Sequence, residues 1–268
     1  MTAFLPSYIA KSSRAEKHLI DLEAEIERYA SRKPYNVADS IEGKHQKKVR
    51  RLHMTQDVAD TDIPILTADA IYNMRSSLDH LMSALVTKND RNSAIFPLYF
   101  QGVWDAIVPG EKPQRVKSRI SWASHIKTLP DEAIAFLKTL QPPDDAGDEV
   151  QLHRLAVIGR LSNRDRHEKL PVIASGLHTV AIGWEMPDGT SRYGIGRPKP
   201  GGFFEDDAML SKVPEDAMNV KIEGTPTIVI RTHEGGTGIK IPEELWGCLR
   251  MIRECVIPKL SPYVRPDV

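Results

Sequence analysis

The hydrophobic pattern of this 268-residue chain changes at Pro171. Before that proline, apolar residues mostly recur every three to four residues, as on the buried face of an amphipathic helix. After it, apolar and polar residues alternate, as in a half-buried β-strand, and helical spacing returns only from Pro242. The pattern predicts an α+β protein with a helical bundle of residues 1–171 and 242–268 and a β-rich insertion of residues 172–241.

Four segments have a helical pattern and are predicted to pack together as the bundle. The first two segments have apolar residues on one side. The third is apolar almost all the way round and is therefore predicted to be central. Thr67 is the predicted N-cap of the second helix. The four segments cover residues 12–32, 67–86, 148–166 and 242–257. Shorter helices are predicted at residues 113–127 and 130–140.

Alternation in the insertion is clearest before a Pro-Asp-Gly sequence at residues 187–189, which is typical of a hairpin turn. Further strands are predicted at residues 219–223 and 227–232. The basic residues 44–54 lack helical spacing and are predicted to be extended or a loop. The side chains predicted to share one face of the first strand are His178, Val180, Ile182 and Trp184.

The charge balance gives the chain no overall attraction for nucleic acid or membranes. Lys and Arg together number 36, as do Asp and Glu, so such a partner must bind a local patch. The first residues lack a signal-peptide pattern, and no stretch has the roughly 20 apolar residues that cross a bilayer, so a cytoplasmic protein without membrane association is expected. Cys248 and Cys255 are too far apart on a predicted helix for a disulfide, and they lack zinc-site spacing. No metal or cofactor is predicted.

A polar cluster lies on the predicted helix 67–86. In the string N-M-R-S-S-L-D-H at residues 73–80, Arg75 and Asp79 are four residues apart and are predicted to pair, and His80 follows directly. The pair is either a structural salt bridge or the charged part of a functional site.

A second polar stripe lies at the end of the predicted central helix. Its members are His153, Arg160, Asn163, Arg164 and His167, which share one face if the helix continues to residue 167. Burying Arg and His is costly unless they are paired, and Asp165, Asp79 or a bound anion would supply the partner. We therefore expect the two polar stripes to face each other.

A basic run lies in the segment 44–54. Its candidate phosphate-binding residues are Lys47, Lys48, Arg50 and Arg51. They would contact the backbone of a nucleic acid. The alternative is a solvated strand or loop.

The strings N-M-R-S-S-L-D-H and N-R-D-R-H-E, with F-P-L-Y-F between them, resemble a widespread group of uncharacterised bacterial proteins. They are more distantly similar to HEPN domains, helical bundles in which an Arg and a His separated by four to six residues cut RNA without a metal. This resemblance implies a HEPN-like bundle and an RNA partner. The residues that it implies as catalytic are His167, Arg160, His80 and Arg75, supported by Asp79, Asn163, Arg164 and His153.

Two functions are compatible with these patterns. In a metal-independent endoribonuclease or RNA-binding protein, His would move a proton from the 2′-hydroxyl and Arg would hold the phosphate. In a non-catalytic interaction module, the same residues form a structural network, and the β-rich insertion recognises another protein or a second copy. The first function requires an open cleft and the second requires that the polar groups satisfy one another.

Overall fold

The computed structural model is a mixed α+β protein that forms two compact units. The residues that the structure describes are 5–42, 47–91, 94–98, 126, 128–141, 154–167, 173–196, 208–209, 213–230 and 239–265. The first unit comprises Met1–Ile20, Thr67–Leu170 and Glu243–Val268. The second unit comprises Asp21–Leu66 and Pro171–Pro242. None of the helices in the described ranges has both the length and the apolar character needed to cross a bilayer.

The helices follow the predicted order. They are α1 (Ser7–Ser31), α2 (Ile63–Leu85), α3 (Asp131–Thr139), α4 (Arg154–His167) and α5 (Glu243–Arg250), followed by a π-helical segment (Met251–Val256) and α6 (Ile257–Leu260). The predicted helices at residues 12–32, 67–86, 130–140 and 242–257 are therefore confirmed. The helix at 148–166 is confirmed from Arg154 onward, because residues 148–153 lie outside the described residues. Of the predicted helix 113–127, only residue 126 is described, and it is helical.

The predicted start of α2 is wrong by one turn. The helix begins at Ile63, and its first N–H donates a hydrogen bond of 3.3 Å to the hydroxyl oxygen of Thr61. Pro64 lies in the first turn, where backbone N–H groups have no acceptor within the helix. Its lack of an N–H therefore costs no helical hydrogen bond. Thr67 is fully buried inside the helix. The apolar stripe of α2 is buried as predicted and consists of Ile71, Met74, Leu78, Leu81 and Leu85.

Residues 35–54 form a β-hairpin that belongs to the second unit. It consists of β1 (Tyr35–Glu42) and β2 (Lys47–Met54), in which Asp39 lies opposite Arg50. The division into units thus differs from the sequence-based one in placing Asp21–Leu66 with the insertion. The alternation of β2 was hidden because a charged residue, Arg50, occupies an inward-facing position beside Leu52.

A four-stranded antiparallel sheet forms the rest of the second unit. Its strands are β3 (Ile173–Glu185), β4 (Ser191–Gly196), β5 (Met218–Ile230) and β6 (Ile239–Ile241), in the order β4-β3-β5-β6. The predicted strand 219–223 and residues 227–230 of the predicted strand 227–232 are parts of the single strand β5, and residues 231–232 lie outside the described residues.

The predicted turn between β3 and β4 is confirmed. Gly189 adopts a positive φ of 83°, which a residue without a Cβ tolerates, and the Met186 N–H donates to the Thr190 carbonyl at 2.8 Å. Hydrogen bonds from the hydroxyl and then the backbone N–H of Thr190 lower the pKa of Asp188. These bonds fix the loop that sets the β3–β4 register.

One face of the sheet packs against the hairpin. Val180, Ile182 and Trp184 of β3 form a core with Leu52 of β2. The hydroxyl of Tyr35 donates to the Gly224 carbonyl at 2.8 Å and joins β1 to β5. The predicted inward face of β3 is therefore confirmed for its three residues whose side chains are described.

Candidate functional site

Arg75 and Asp79 form a two-point ion pair on α2, as their spacing predicts. Arg75 Nε donates to Asp79 Oδ2 at 3.1 Å, and Arg75 Nη2 lies 2.9 Å from Asp79 Oδ1. Both side chains are shielded from solvent, and Arg75 is only 9% exposed. The pair therefore gains more from its two bonds than a solvated surface pair would.

The pair also binds both polar groups of the Phe96 backbone. Asp79 Oδ1 accepts the Phe96 N–H at 2.9 Å, and Arg75 Nη2 donates to the Phe96 carbonyl at 3.1 Å. The Phe96 side chain is 1% exposed, so its backbone groups cannot be left without partners at low cost. Arg75 and Asp79 thus anchor the connector that follows α2, and residues 96–97 are buried as predicted.

The same connector contacts two further helices of the first unit. The side-chain amide of Gln141, at the end of α3, donates to the Pro97 carbonyl at 3.2 Å. A Cβ atom on Gly159 of α4 would lie 3.3 Å from Cδ1 of Leu98, so this glycine permits close packing. The segment 96–98 therefore joins α2, α3 and α4. We call Arg75, Asp79 and the Phe96 backbone the connector clamp.

The other polar residues of the α2 string point elsewhere. The Asn73 amide donates to the Asp69 carbonyl at 2.9 Å, and the Ser77 hydroxyl donates to the Tyr8 carbonyl at 2.7 Å. His80 is half-buried and lies about 140° around an ideal helix from Arg75. The predicted catalytic pair of Arg75 and His80 therefore does not share one face of α2.

One condition for the predicted polar stripe on α4 is met. The helix continues to His167, so positions 160, 163, 164 and 167 share a face by helical geometry. The side chains of Arg160, Asn163, Arg164 and His167, together with all of His153, lie outside the described residues. The expected contact between the two polar stripes stays a prediction.

The basic run on β2 divides between two faces of the hairpin. Arg50 is 4% exposed, its Nε lies 3.1 Å from Asp39 Oδ1, and its terminal nitrogens donate to the carbonyls of Pro214 and Ala217. This guanidinium is thus bound within the second unit. Arg51 lies on the opposite face and is half-buried, while the side chains of Lys47 and Lys48 lie outside the described residues.

Around β4, the other face of the four-stranded sheet is open to solvent. We call it the open sheet face. It consists of Tyr193 and Ile195 from β4, Ala181, Gly183 and Glu185 from β3, and Lys221 and Glu223 from β5. Tyr193 is 84% exposed and Ile195 is 59% exposed. The alternation in β3 predicts its buried face and identifies the opposite face equally well, although the opposite face was not among the predicted sites.

Two depressions adjoin each other on the open sheet face. One, of about 240 Å³, lies around Gly183 and Tyr193, and the other, of about 740 Å³, lies beside Tyr35 and Pro226. Ala181 and Glu223 line both, so they form one groove within the second unit. The groove presents charged residues of both signs beside exposed apolar groups.

Two aromatic rings cover glycines on opposite faces of the β3–β4 ladder. On the open sheet face, a Cβ on Gly183 would lie 3.3 Å from the Tyr193 ring. On the buried face, a Cβ on Gly194 would lie 3.1 Å from the Trp184 ring. The two glycines allow both rings to lie flat on the sheet.

The described residues offer little for metal or thiol chemistry. No three His, Cys, Asp or Glu side chains within the described ranges are grouped closely enough to hold a metal ion. Cys248 and Cys255 are both free thiols, and burial raises the pKa of Cys248 to about 12. A thiol with this pKa is protonated at neutral pH and is a poor nucleophile.

Comparisons of the chain with protein-family models, with characterised proteins and with solved structures found no match.

Proposed function

We propose that this chain is a non-catalytic protein-interaction module, in which the connector clamp maintains the helical unit and the open sheet face recognises a protein. The observation that carries the proposal is that Arg75 and Asp79 bind each other and both polar groups of the Phe96 backbone. A catalytic arginine must offer donors to a substrate phosphate. Arg75 instead points Nε and Nη2 at acceptors of the protein itself.

The energetics support a structural role for the clamp. Removing one partner of a buried, hydrogen-bonded ion pair leaves the other charge without compensation, which typically costs about 3 to 5 kcal/mol. Arg75→Ala would leave the Asp79 carboxylate without its charged partner and the Phe96 carbonyl without its Arg75 donor. Conversely, a catalytic residue usually contributes to rate rather than to the free energy of unfolding.

The test combines activity and stability on the same samples. Wild type and Arg75→Ala are incubated with mixed RNA in EDTA, and both are melted. We expect no cleavage by either and a much lower melting temperature for the variant. Arg253→Ala is the matched control, because Arg253 also pairs with a carboxylate, that of Glu16 at 2.7 Å, but the two side chains are 41% and 36% exposed. RNA cleavage by the wild type that Arg75→Ala abolishes at unchanged melting temperature would refute the proposal.

The second candidate is a HEPN-like, metal-independent endoribonuclease or RNA-binding protein that acts through Arg160 and His167. The continuity of α4 to His167 favours it, because the helix brings positions 160 and 167 to one face. His167 would serve as general base and Arg160 would stabilise the phosphate, with His80 and Arg75 in supporting roles.

The variant His167→Ala separates this candidate from the first. A positioned general base contributes about 10² to 10⁴ in rate, so this variant should lose most RNA cleavage in EDTA at an unchanged melting temperature. A wild type that leaves RNA intact, with a destabilised variant, would place His167 in a structural network instead.

A further inference from the structure

The strand β4 has the properties of a pairing edge. Among the strands that the structure describes, it lies at the end of the sheet and pairs with β3. Its exposed apolar residues, Tyr193 and Ile195, lie on the same face and flank Gly194. Natural edge strands are usually protected by several charges, a proline or a bulge. The six residues of β4 contain one charge, Arg192, and no proline.

We propose that β4 pairs antiparallel with β4 of a second copy of this chain, about a two-fold axis at Gly194. This inference rests on the proposed function and names a second copy of the chain as the partner at the edge of the open sheet face. In this register Tyr193 lies opposite Ile195 of the second copy, on both sides of the axis. An aromatic residue opposite a β-branched residue is a favourable cross-strand pair.

The residues of β4 distinguish this register from its neighbours. An axis at Arg192 would place two guanidinium groups directly opposite each other, which is unfavourable. An axis at Tyr193 would pair the two Tyr193 rings but place each Ile195 opposite Ser191, so one cross-strand apolar pair would form instead of two. The axis at Gly194 places Arg192 opposite the uncharged Gly196 and joins four apolar side chains on one face. Charge and apolar contacts therefore both favour a second copy in this register.

The dimer should be weak. Strands of six residues form a small interface, below the usual size of permanent complexes. Symmetric pairing nevertheless satisfies the outward backbone groups of both edges at once. We expect reversible association at micromolar to submillimolar concentration.

Sedimentation equilibrium from about 5 to about 500 μM tests the association. The wild type should show a concentration-dependent monomer–dimer equilibrium, and Ile195→Lys should weaken it at least about tenfold, since it removes two apolar contacts and adds two charges per dimer. Ile41→Lys is the matched control, because Ile41 is an exposed strand isoleucine of the same unit, at 71% exposure. It should dimerise like the wild type.

Disulfide trapping tests the register. Tyr193→Cys and Ile195→Cys are oxidised separately and as a mixture, with the wild type as the background for Cys255. Directly opposite residues have Cα atoms about 4.5 to 5.5 Å apart, within disulfide reach, whereas diagonal neighbours lie about 7 to 8 Å apart. The mixture should therefore form the covalent dimer and each variant alone should not.

A wild type that stays monomeric over the whole range overturns the inference, as does Ile41→Lys weakening the dimer as much as Ile195→Lys. Neither result changes the stability of Arg75→Ala, so failure of this inference is distinguishable from failure of the proposed function.

Discussion

The connector clamp on α2 and the open sheet face at β4 differ in which side chains are buried and which are exposed. On α2, the charged residues Arg75 and Asp79 are shielded and paired. On β4, the apolar residues Tyr193 and Ile195 are exposed. Two charged residues of the predicted site on α2 are thus bound within the fold, whereas the exposed apolar residues come from an ordinary strand.

This contrast shows why residue type alone is a poor guide to a functional site. A buried backbone segment such as Phe96 needs donors and acceptors, and an Arg–Asp pair supplies both. The same requirement explains Arg50, which binds Asp39 and two carbonyls in the second unit. Both arginines therefore bind acceptor groups of the protein itself.

The largest expected effect comes from breaking the clamp. Arg75→Ala should lower the free energy of unfolding by about 3 to 5 kcal/mol, because it leaves Asp79 and the Phe96 carbonyl without their donor. Denaturation in urea measures the loss. Arg253→Ala, which removes the exposed pair with Glu16, should cost under about 1 kcal/mol. Equal losses for the two variants would show that the clamp is no stronger than a surface pair.

A second large effect is expected on the β-hairpin. Arg50→Ala should cost about 2 to 4 kcal/mol, since Asp39 and the carbonyls of Pro214 and Ala217 lose their partner. Arg192→Ala, at an exposed position of the same unit, should change stability little. A stable Arg50→Ala variant with weakened, salt-dependent RNA binding would instead support the nucleic-acid prediction for this residue.

The two faces of the β3–β4 ladder should respond differently to one substitution. Gly194→Ala presses on the buried Trp184 ring and should cost about 1 to 2 kcal/mol. Gly183→Ala meets the exposed Tyr193 ring, which can move into solvent, and should cost under about 0.5 kcal/mol. Thermal melting of both variants gives the comparison. The opposite order would mean that Tyr193 is the more tightly held ring.

The smallest effect is expected from Cys248, and it depends on pH. Burial raises the pKa of Cys248 from 9.0 to about 12, so above pH 9 the unfolded chain loses a proton that the folded chain keeps. Stability is therefore unaffected below pH 9 and falls as pH rises toward 12. Between pH 8 and pH 10, wild type should lose about 1 kcal/mol more than Cys248→Ala. Identical losses would show that the thiol is accessible.

Much of the fold could be predicted from hydrophobic spacing. The apolar stripe of α2 and the turn at residues 187–189 have strong local signals, and both are confirmed. The hairpin of β1 and β2 was not predicted as such, because the inward position of Arg50 depends on carbonyls more than 160 residues away in the sequence. Local patterns cannot show such distant partners.

The candidate site was only partly predictable for the same reason. The spacing of Arg75 and Asp79 predicts their pairing, but not that both also bind the Phe96 backbone. The open sheet face needs the strand register as well as the alternation, because Tyr193 and Lys221 become neighbours of Gly183 only in the assembled sheet. The contact between the polar stripe of α4 and the connector clamp is still a prediction.

The central claim is that Arg75 and Asp79 act as one structural unit, and a double-mutant cycle tests it most directly. Urea denaturation of wild type, Arg75→Ala, Asp79→Ala and the double variant gives the coupling free energy. We predict that the double variant is less destabilised than the sum of the single variants by about 1.5 to 3 kcal/mol, because each single change leaves an unpaired charge. Costs that add within about 0.5 kcal/mol would contradict the account.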